Sequence, residues 1–197
     1  MIDATRVIAL ERSKSFPVTN PIVKEFSTGE KAILSALDKI PKSTKWDIQE
    51  EYIIETLFHE IEHASAKGFS MAALNANPTS NMFIESVHQL YCRYHYQHFF
   101  KYMNGKAPIH QGKIIAGGTA YYKRVPNLDK LLKALGLNRS ERKQICKKLA
   151  TQTRYADIIA EFLRSNPKLN TPKDLFEELV EGLASDEFIG SIKAYIQ

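Results

Sequence analysis

Apolar and polar residues recur with helical spacing between Trp46 and Gly68. At about 100° per residue, one stripe of the helix is apolar and should face the core. Its members are Trp46, Ile53, Leu57, Ile61 and Ala64. The opposing stripe is acidic and should face water, with members Glu51, Glu55 and Glu62. His59 and His63 lie on the border between the stripes, so the pattern predicts a helix with two histidines at the edge of a cleft.

The other patterns along the chain are mostly helical, with β-prone segments in its first 125 residues. Further predicted helices are Glu30–Ile40, Pro78–Met103, Leu128–Leu135, Ser140–Ser165, Lys173–Ala184 and a last one from Ser185. Predicted strands are Thr5–Leu10, Pro21–Phe26 and the arms Lys113–Ala116 and Thr119–Tyr122 of a hairpin that turns at Gly117-Gly118. This distribution predicts an α+β fold that is predominantly α-helical, with a small N-terminal sheet and a helical C-terminal part.

The segment His59-Glu60-Ile61-Glu62-His63 carries the H-E-x-x-H pattern. Two imidazoles four residues apart share one side of a helix and are close enough to hold a single metal ion. The carboxylate of Glu60, beside the first histidine, is then placed to take a proton from metal-bound water. The pattern therefore indicates zinc-dependent hydrolysis, most often of a peptide bond.

Residues 56–64 resemble the active-site helix of the zincin metallopeptidases. The resemblance implies that His59 and His63 bind Zn2+, that Glu60 is the general base, and that the substrate is a protein or peptide. It also implies a small sheet before this helix. Glu62 departs from the family pattern, because zincin helices mostly carry an uncharged residue there.

The second predicted helix offers a third metal ligand, which catalytic zinc usually requires. Glu85 follows the motif by 22 residues and resembles the glutamate ligand of the gluzincin subgroup. His88, three residues later, is its substitute. Gln89 stands where thermolysin-like members carry an Asp that orients a histidine. A glutamine can accept a hydrogen bond from an imidazole but brings no charge.

No motif specifies the residue that stabilises the oxyanion of the reaction. His95 shares the predicted stripe of Glu85, so it is a candidate for this second catalytic role. Tyrosines offer the same hydrogen-bond donor, and the candidates are Tyr91, Tyr94, Tyr121 and Tyr122.

Two Glu-x-x-His motifs also allow a di-iron carboxylate site, as in ferritin-like bundles. They are formed by Glu60 with His63 and by Glu85 with His88. The short segment 68–78 leaves no room for the additional Glu-bearing helix that such bundles usually place between the motifs. This alternative also assigns no role to His59, and the identity of the metal would decide it.

Positive charge is concentrated between Tyr121 and Ala150, where nine Lys and Arg face two acidic residues, a local net charge of +7. The segment Leu135–Ser140 between two predicted helices resembles a helix-turn-helix connection. The basic region 121–150 therefore allows a different function, that of a DNA-associated or regulatory protein whose zincin-like core is inactive or structural. A solvated helical face or a patch for acidic proteins accounts for the same charge.

Composition fits an ordinary globular protein, with 197 residues, 44% hydrophobic residues and two cysteines. We expect a zincin-like catalytic domain over residues 1–125 and a helical part over 126–197, although one continuous core is equally compatible. No apolar run approaches the roughly 20 residues that span a bilayer. The N-terminus lacks the pattern of a secretory signal, so we expect a cytoplasmic protein, with signal-less secretion left open.

Overall fold

A computed structural model of the chain describes residues 35–36, 38–40, 42, 45–68, 78–117, 123–169 and 173–196. Its regular elements are helices: α1 (Ile48–Ser65), α2 (Pro78–His95), α3 (Gln97–Tyr102), α4 (Gln111–Gly117), α5 (Arg124–Ala134), α6 (Arg139–Lys147), α7 (Ile158–Ser165), α8 (Lys173–Gly182) and α9 (Phe188–Ser191). A π-helical segment, Lys148–Gln152, follows α6, and two 3-10 segments are Tyr155–Asp157 and Ile192–Tyr195. Among these residues, none of the helices has the length and hydropathy needed to cross a bilayer.

The predicted α+β class is wrong, because the described part of the chain is predominantly helical and contains no strand. One isolated β-bridge, between Leu169 and Ile196, is its only extended pairing. The predicted strands Thr5–Leu10 and Pro21–Phe26 lie outside the described residues. The helical character predicted for the C-terminal part is confirmed, although the long helix expected over Ser140–Ser165 is divided by the π-helical and 3-10 segments.

The predicted hairpin is also wrong in its first arm, since residues Lys113–Ala116 belong to α4. Its second arm lies outside the described residues. The reason is a long-range contact: the Glu51 carboxylate on α1 accepts hydrogen bonds from the backbone N–H groups of Ile109 and His110, just before α4. The Glu51 carboxylate thus accepts hydrogen bonds from backbone N–H groups at the start of α4, which would otherwise lack partners within the helix. The turn residues of this segment do not indicate such a distant partner.

Helix α2 lies at the centre of the described fold and packs against α1, α4, α5, α6, α7 and α8. Most of its residues from Phe83 to Tyr94 are buried, on all sides of the helix. Helices on both sides of position 125 contribute to the same hydrophobic core, for example through Ile54 of α1 and Leu131 of α5. The described residues before and after position 125 thus share one core.

The orientation predicted for α1 is wrong, because its acidic stripe faces inward. Glu51 and Glu55 are both fully buried, whereas Ile53 and Leu57 of the predicted core stripe are only partly buried. Each buried carboxylate has partners from other elements. Glu51 accepts a hydrogen bond from the Tyr96 hydroxyl, in addition to the backbone groups before α4, and Glu55 accepts one from the side chain of Gln89. Buried polar groups need such partners. Because Glu51 and Glu55 have them, the acidic side of α1 faces the core and not the solvent.

Several side chains of the basic region 121–150 bind other parts of this chain. Lys123 pairs with Asp186, Lys148 with Glu161 and Arg142 with Asp129. The Arg124 guanidinium donates to the Val180 carbonyl, and the Lys143 ammonium lies over the ring of Tyr94, 5.9 Å from its centroid. These contacts give a structural role to part of the positive charge.

We predict that Gly105→Ala destabilises the fold, because Gly105 packs directly on Ile40. A Cβ atom at this position would lie 2.5 Å from Ile40 Cγ2 and 2.9 Å from the Ile40 carbonyl oxygen. We expect a loss of roughly 1–3 kcal/mol in the free energy of unfolding, measured by chemical denaturation. Gly112→Ala is the matched control, since a Cβ there meets nothing within 4 Å in α4. Equal stability of the two variants would contradict the prediction.

Candidate metal centre

Helix α1 carries His59 and His63 one turn apart, on the face that packs against α2. The helix starts at a capping box: the Asp47 side chain accepts from the Glu50 backbone N–H, and the Glu50 side chain accepts from that of Asp47. This box satisfies two N–H groups at the first turn and fixes where the helix begins. The exposed fraction is 4% for His59 and 7% for His63, so both imidazoles lie almost completely inside the protein.

Helix α2 supplies the third group of the centre, the carboxylate of Glu85. His63 Nε2 lies 2.9 Å from His59 Nε2 and 2.9 Å from Glu85 Oε2. The distance between His59 Nε2 and Glu85 Oε2 is 3.4 Å. The fold therefore brings together the three residues that the sequence analysis selected as metal ligands.

The spacing and chemistry of these three atoms fit a zinc ion. Ligand atoms around a tetrahedral zinc with bonds of about 2.0–2.1 Å lie roughly 3.3 Å apart, close to the separations found here. The rings of His59 and His63 are nearly perpendicular, at 87°, so their nitrogens approach the common point from different directions. Two imidazoles and one carboxylate form a ligand set that catalytic zinc sites use.

The electrostatics of the cluster keep the Glu85 carboxylate ionised. Burial acts to raise the pKa of Glu85, but hydrogen bonds and positive charge from His59 and His63 outweigh it and hold this pKa well below its usual range. A carboxylate that stays charged in a largely buried position is a strong ligand for a cation.

The two sequence-predicted catalytic residues lie in different surroundings. Glu60 is exposed, beside His59 at the solvent side of α1. His95 is ten residues beyond Glu85 on α2, roughly 15 Å along the helix at 1.5 Å per residue. It packs between Tyr91 and His98, and partial burial lowers the pKa of His95 to about 4. Glu60 is thus adjacent in sequence to one proposed ligand and is exposed, whereas His95 lies far along α2 from Glu85.

Two further residues adjoin the cluster, His88 and Tyr155. The imidazole of His88 is fully buried and stacks on His63, with ring centroids 4.6 Å apart. Its nitrogens lie outside the group formed by the three ligands. Tyr155 comes from the 3-10 segment before α7; burial raises the pKa of its phenol, as do the charge of Glu85 and a hydrogen bond with it. No motif in the sequence points to Tyr155, which lies 70 residues from Glu85 along the chain.

Gln89, a candidate from the sequence for orienting a histidine, contacts α1 through its amide nitrogen. Its amide donates to the Glu55 carboxylate, one helical turn before His59. Burial raises the pKa of Glu55 to about 8, against the opposing charge of Arg93 and the hydrogen bond from Gln89. One helical turn before His59, the contact between Glu55 and Gln89 is therefore a second buried polar link between α1 and α2.

Comparisons of the chain with protein-family models, curated proteins and solved structures find no match. No family is therefore shown, and the zincin resemblance remains an expectation drawn from the sequence.

We predict that Glu55→Gln flattens the pH dependence of stability in the metal-free protein. The pKa of Glu55 is raised from 4.5 to about 8, so the folded state holds a proton that the unfolded chain releases across this range. Stability should therefore fall as pH rises from about 5 to 8, with a slope of up to ~1.4 kcal/mol per pH unit from this group. The neutral amide of the variant has no proton to release.

The measurement is chemical denaturation at several pH values across this window. Glu177→Gln, which changes an exposed carboxylate on α8, is the control and should retain the wild-type slope. Parallel curves for wild type and Glu55→Gln would show that Glu55 does not hold the proton.

Proposed function

We propose that this chain is a zinc-dependent hydrolase that cleaves peptide bonds in a protein or peptide substrate. The observation that carries the proposal is the convergence of His59 Nε2, His63 Nε2 and Glu85 Oε2 within 3.4 Å of one another. Two helices and a buried setting hold these atoms together, beside the exposed carboxylate of the H-E-x-x-H motif.

His59, His63 and Glu85 would hold the ion in this proposal. A bound zinc ion supplies Lewis acidity, which lowers the pKa of a water molecule and polarises a carbonyl group. Glu60 accepts the proton of the attacking water and returns it to the leaving amine, a role that its exposed position beside His59 allows. The reaction is thus divided between three ligands and one exposed carboxylate.

Neither His95 nor Tyr155 is assigned to the stabilisation of the oxyanion. The Tyr155 phenol keeps its proton, because burial and the neighbouring Glu85 raise its pKa, and its hydrogen bond is made with Glu85. With an exposed fraction of 1%, this phenol supports the Glu85 carboxylate and does not face a substrate. His95 lies too far along α2 to take part.

The other functions considered from the sequence gain less support from these contacts. A di-iron site would need Glu60 and His88 as ligands, but Glu60 is exposed and the His88 nitrogens lie outside the cluster. Nucleic-acid binding would use the basic region 121–150, in which several side chains pair within the chain. Elemental analysis of the purified protein separates one zinc per chain from two irons.

We predict that His59→Ala and Glu85→Ala each weaken zinc binding, because each variant removes one of three proposed ligands. For His59→Ala we expect the dissociation constant for zinc to rise about 100-fold or more. The measurement is the dissociation constant for zinc, determined by competition with a chromophoric chelator. His98→Ala is the control, since it removes an exposed imidazole outside the cluster. Unchanged affinity in Glu85→Ala would transfer the third position to another residue.

We predict that Glu60→Gln abolishes hydrolysis while zinc stays bound, because an amide cannot accept the proton from water. Turnover is measured with fluorescein-labelled casein, and zinc content is determined on the same preparations. Glu62→Gln is the matched control, since it removes a carboxylate two positions away on the same helix and should remain active. Full activity in Glu60→Gln would remove this residue from the mechanism.

A further inference from the structure

The ring of His88 lies face to face with the ring of His63. Their centroids are 4.6 Å apart and the ring planes differ by 24°, so the two imidazoles are stacked. On the side of His88, the ring of Tyr155 follows at a centroid distance of 6.0 Å and a tilt of 34°. His88 therefore lies between a proposed metal ligand and a buried tyrosine, within a tightly packed part of the core.

The nitrogens of His88 do not explain why it lies there. Its exposed fraction is 0%, and neither Nδ1 nor Nε2 has a hydrogen-bond partner among the described residues. A buried polar atom without a partner lowers stability, so an aliphatic or phenyl side chain would suit the core better. What His88 provides to its neighbour is its flat aromatic face.

The orientation of a histidine ring affects how well it binds a metal ion. Metal-binding histidines usually donate their second ring N–H to another residue, and this hydrogen bond fixes the orientation of the ring. The Nε2 group of Gln89 donates to Glu55, so this contact joins the two helices and does not orient the His63 ring. Packing against His88 is thus a further constraint on the His63 ring, whose terminal torsion is otherwise broad.

We propose that His88 is a positioning residue: its stacked ring fixes the plane of His63 and thereby increases the zinc affinity of the cluster formed by His59, His63 and Glu85. This inference rests on the proposed zinc site. A ring already held in the binding orientation loses less freedom when the metal binds, which increases affinity without an additional ligand. The effect depends on the aromatic face of residue 88 and not on its nitrogens.

The test compares zinc dissociation constants of wild type, His88→Leu and His88→Phe, by competition with a chromophoric chelator. His88→Leu removes the flat ring, and we expect about a 10-fold weaker affinity, as for other residues that support metal ligands. His88→Phe keeps a flat ring without nitrogens, and we expect affinity within about 2-fold of wild type. Equal affinity of wild type and His88→Leu would overturn the inference, as would a 10-fold loss in His88→Phe.

Leu90→Ala, which shortens another fully buried side chain of α2, controls for a general loss of stability. It should lower the melting temperature without changing zinc affinity. If His88→Leu does not fold, His88→Phe still tests the proposal, because a 10-fold loss in this variant contradicts a role for the aromatic face alone. A wild-type protein that binds no zinc would overturn the proposed function and this inference together, whereas zinc binding that is insensitive to residue 88 would overturn the inference alone.

Discussion

The interface between α1 and α2 is polar and buried, and the rest of the described structure depends on how its polar groups are paired. Glu51, Glu55, His59 and His63 follow one another at intervals of four residues on α1, so all four point towards the same side. Buried carboxylates are tolerated only when other groups bind them. The loop before α4, the side chains of α2 and the histidines themselves provide these partners, and each partner fixes the position of another element.

This pairing holds the proposed ligands in place without a metal. Glu85 is bound by two imidazoles, and one turn away Gln89 binds Glu55, so α2 is joined to α1 at two levels. A small sliding of either helix would break both contacts. The resulting site is built on two helices and not on loops, which favours a fixed ligand geometry. Three electron-rich atoms held near one point favour a cation.

The sequence was most informative where chemistry depends on local spacing. His59, Glu60 and His63 follow from one motif, and Glu85 follows from a helix predicted to start at Pro78. The inward orientation of α1 was predicted wrongly, because hydrophobic periodicity assigns every glutamate to solvent. Partners for Glu51 and Glu55 come from 34 to 59 residues away, and no local pattern contains that information. The α4 helix was mistaken for a hairpin arm for the same reason.

Tyr155 shows why the C-terminal helices belong to the site although no chemical motif lies there. Its ring packs near His88, and its phenol interacts with Glu85. The segment before α7 therefore contacts the cluster formed by His59, His63 and Glu85. The backbone N–H of Tyr155 donates to the carbonyl of Lys67, just after α1. This hydrogen bond connects the segment before α7 to the end of α1. A division near residue 125 would therefore separate the proposed ligands from a residue that completes their surroundings. The unit that carries the proposed chemistry extends across both halves of the chain.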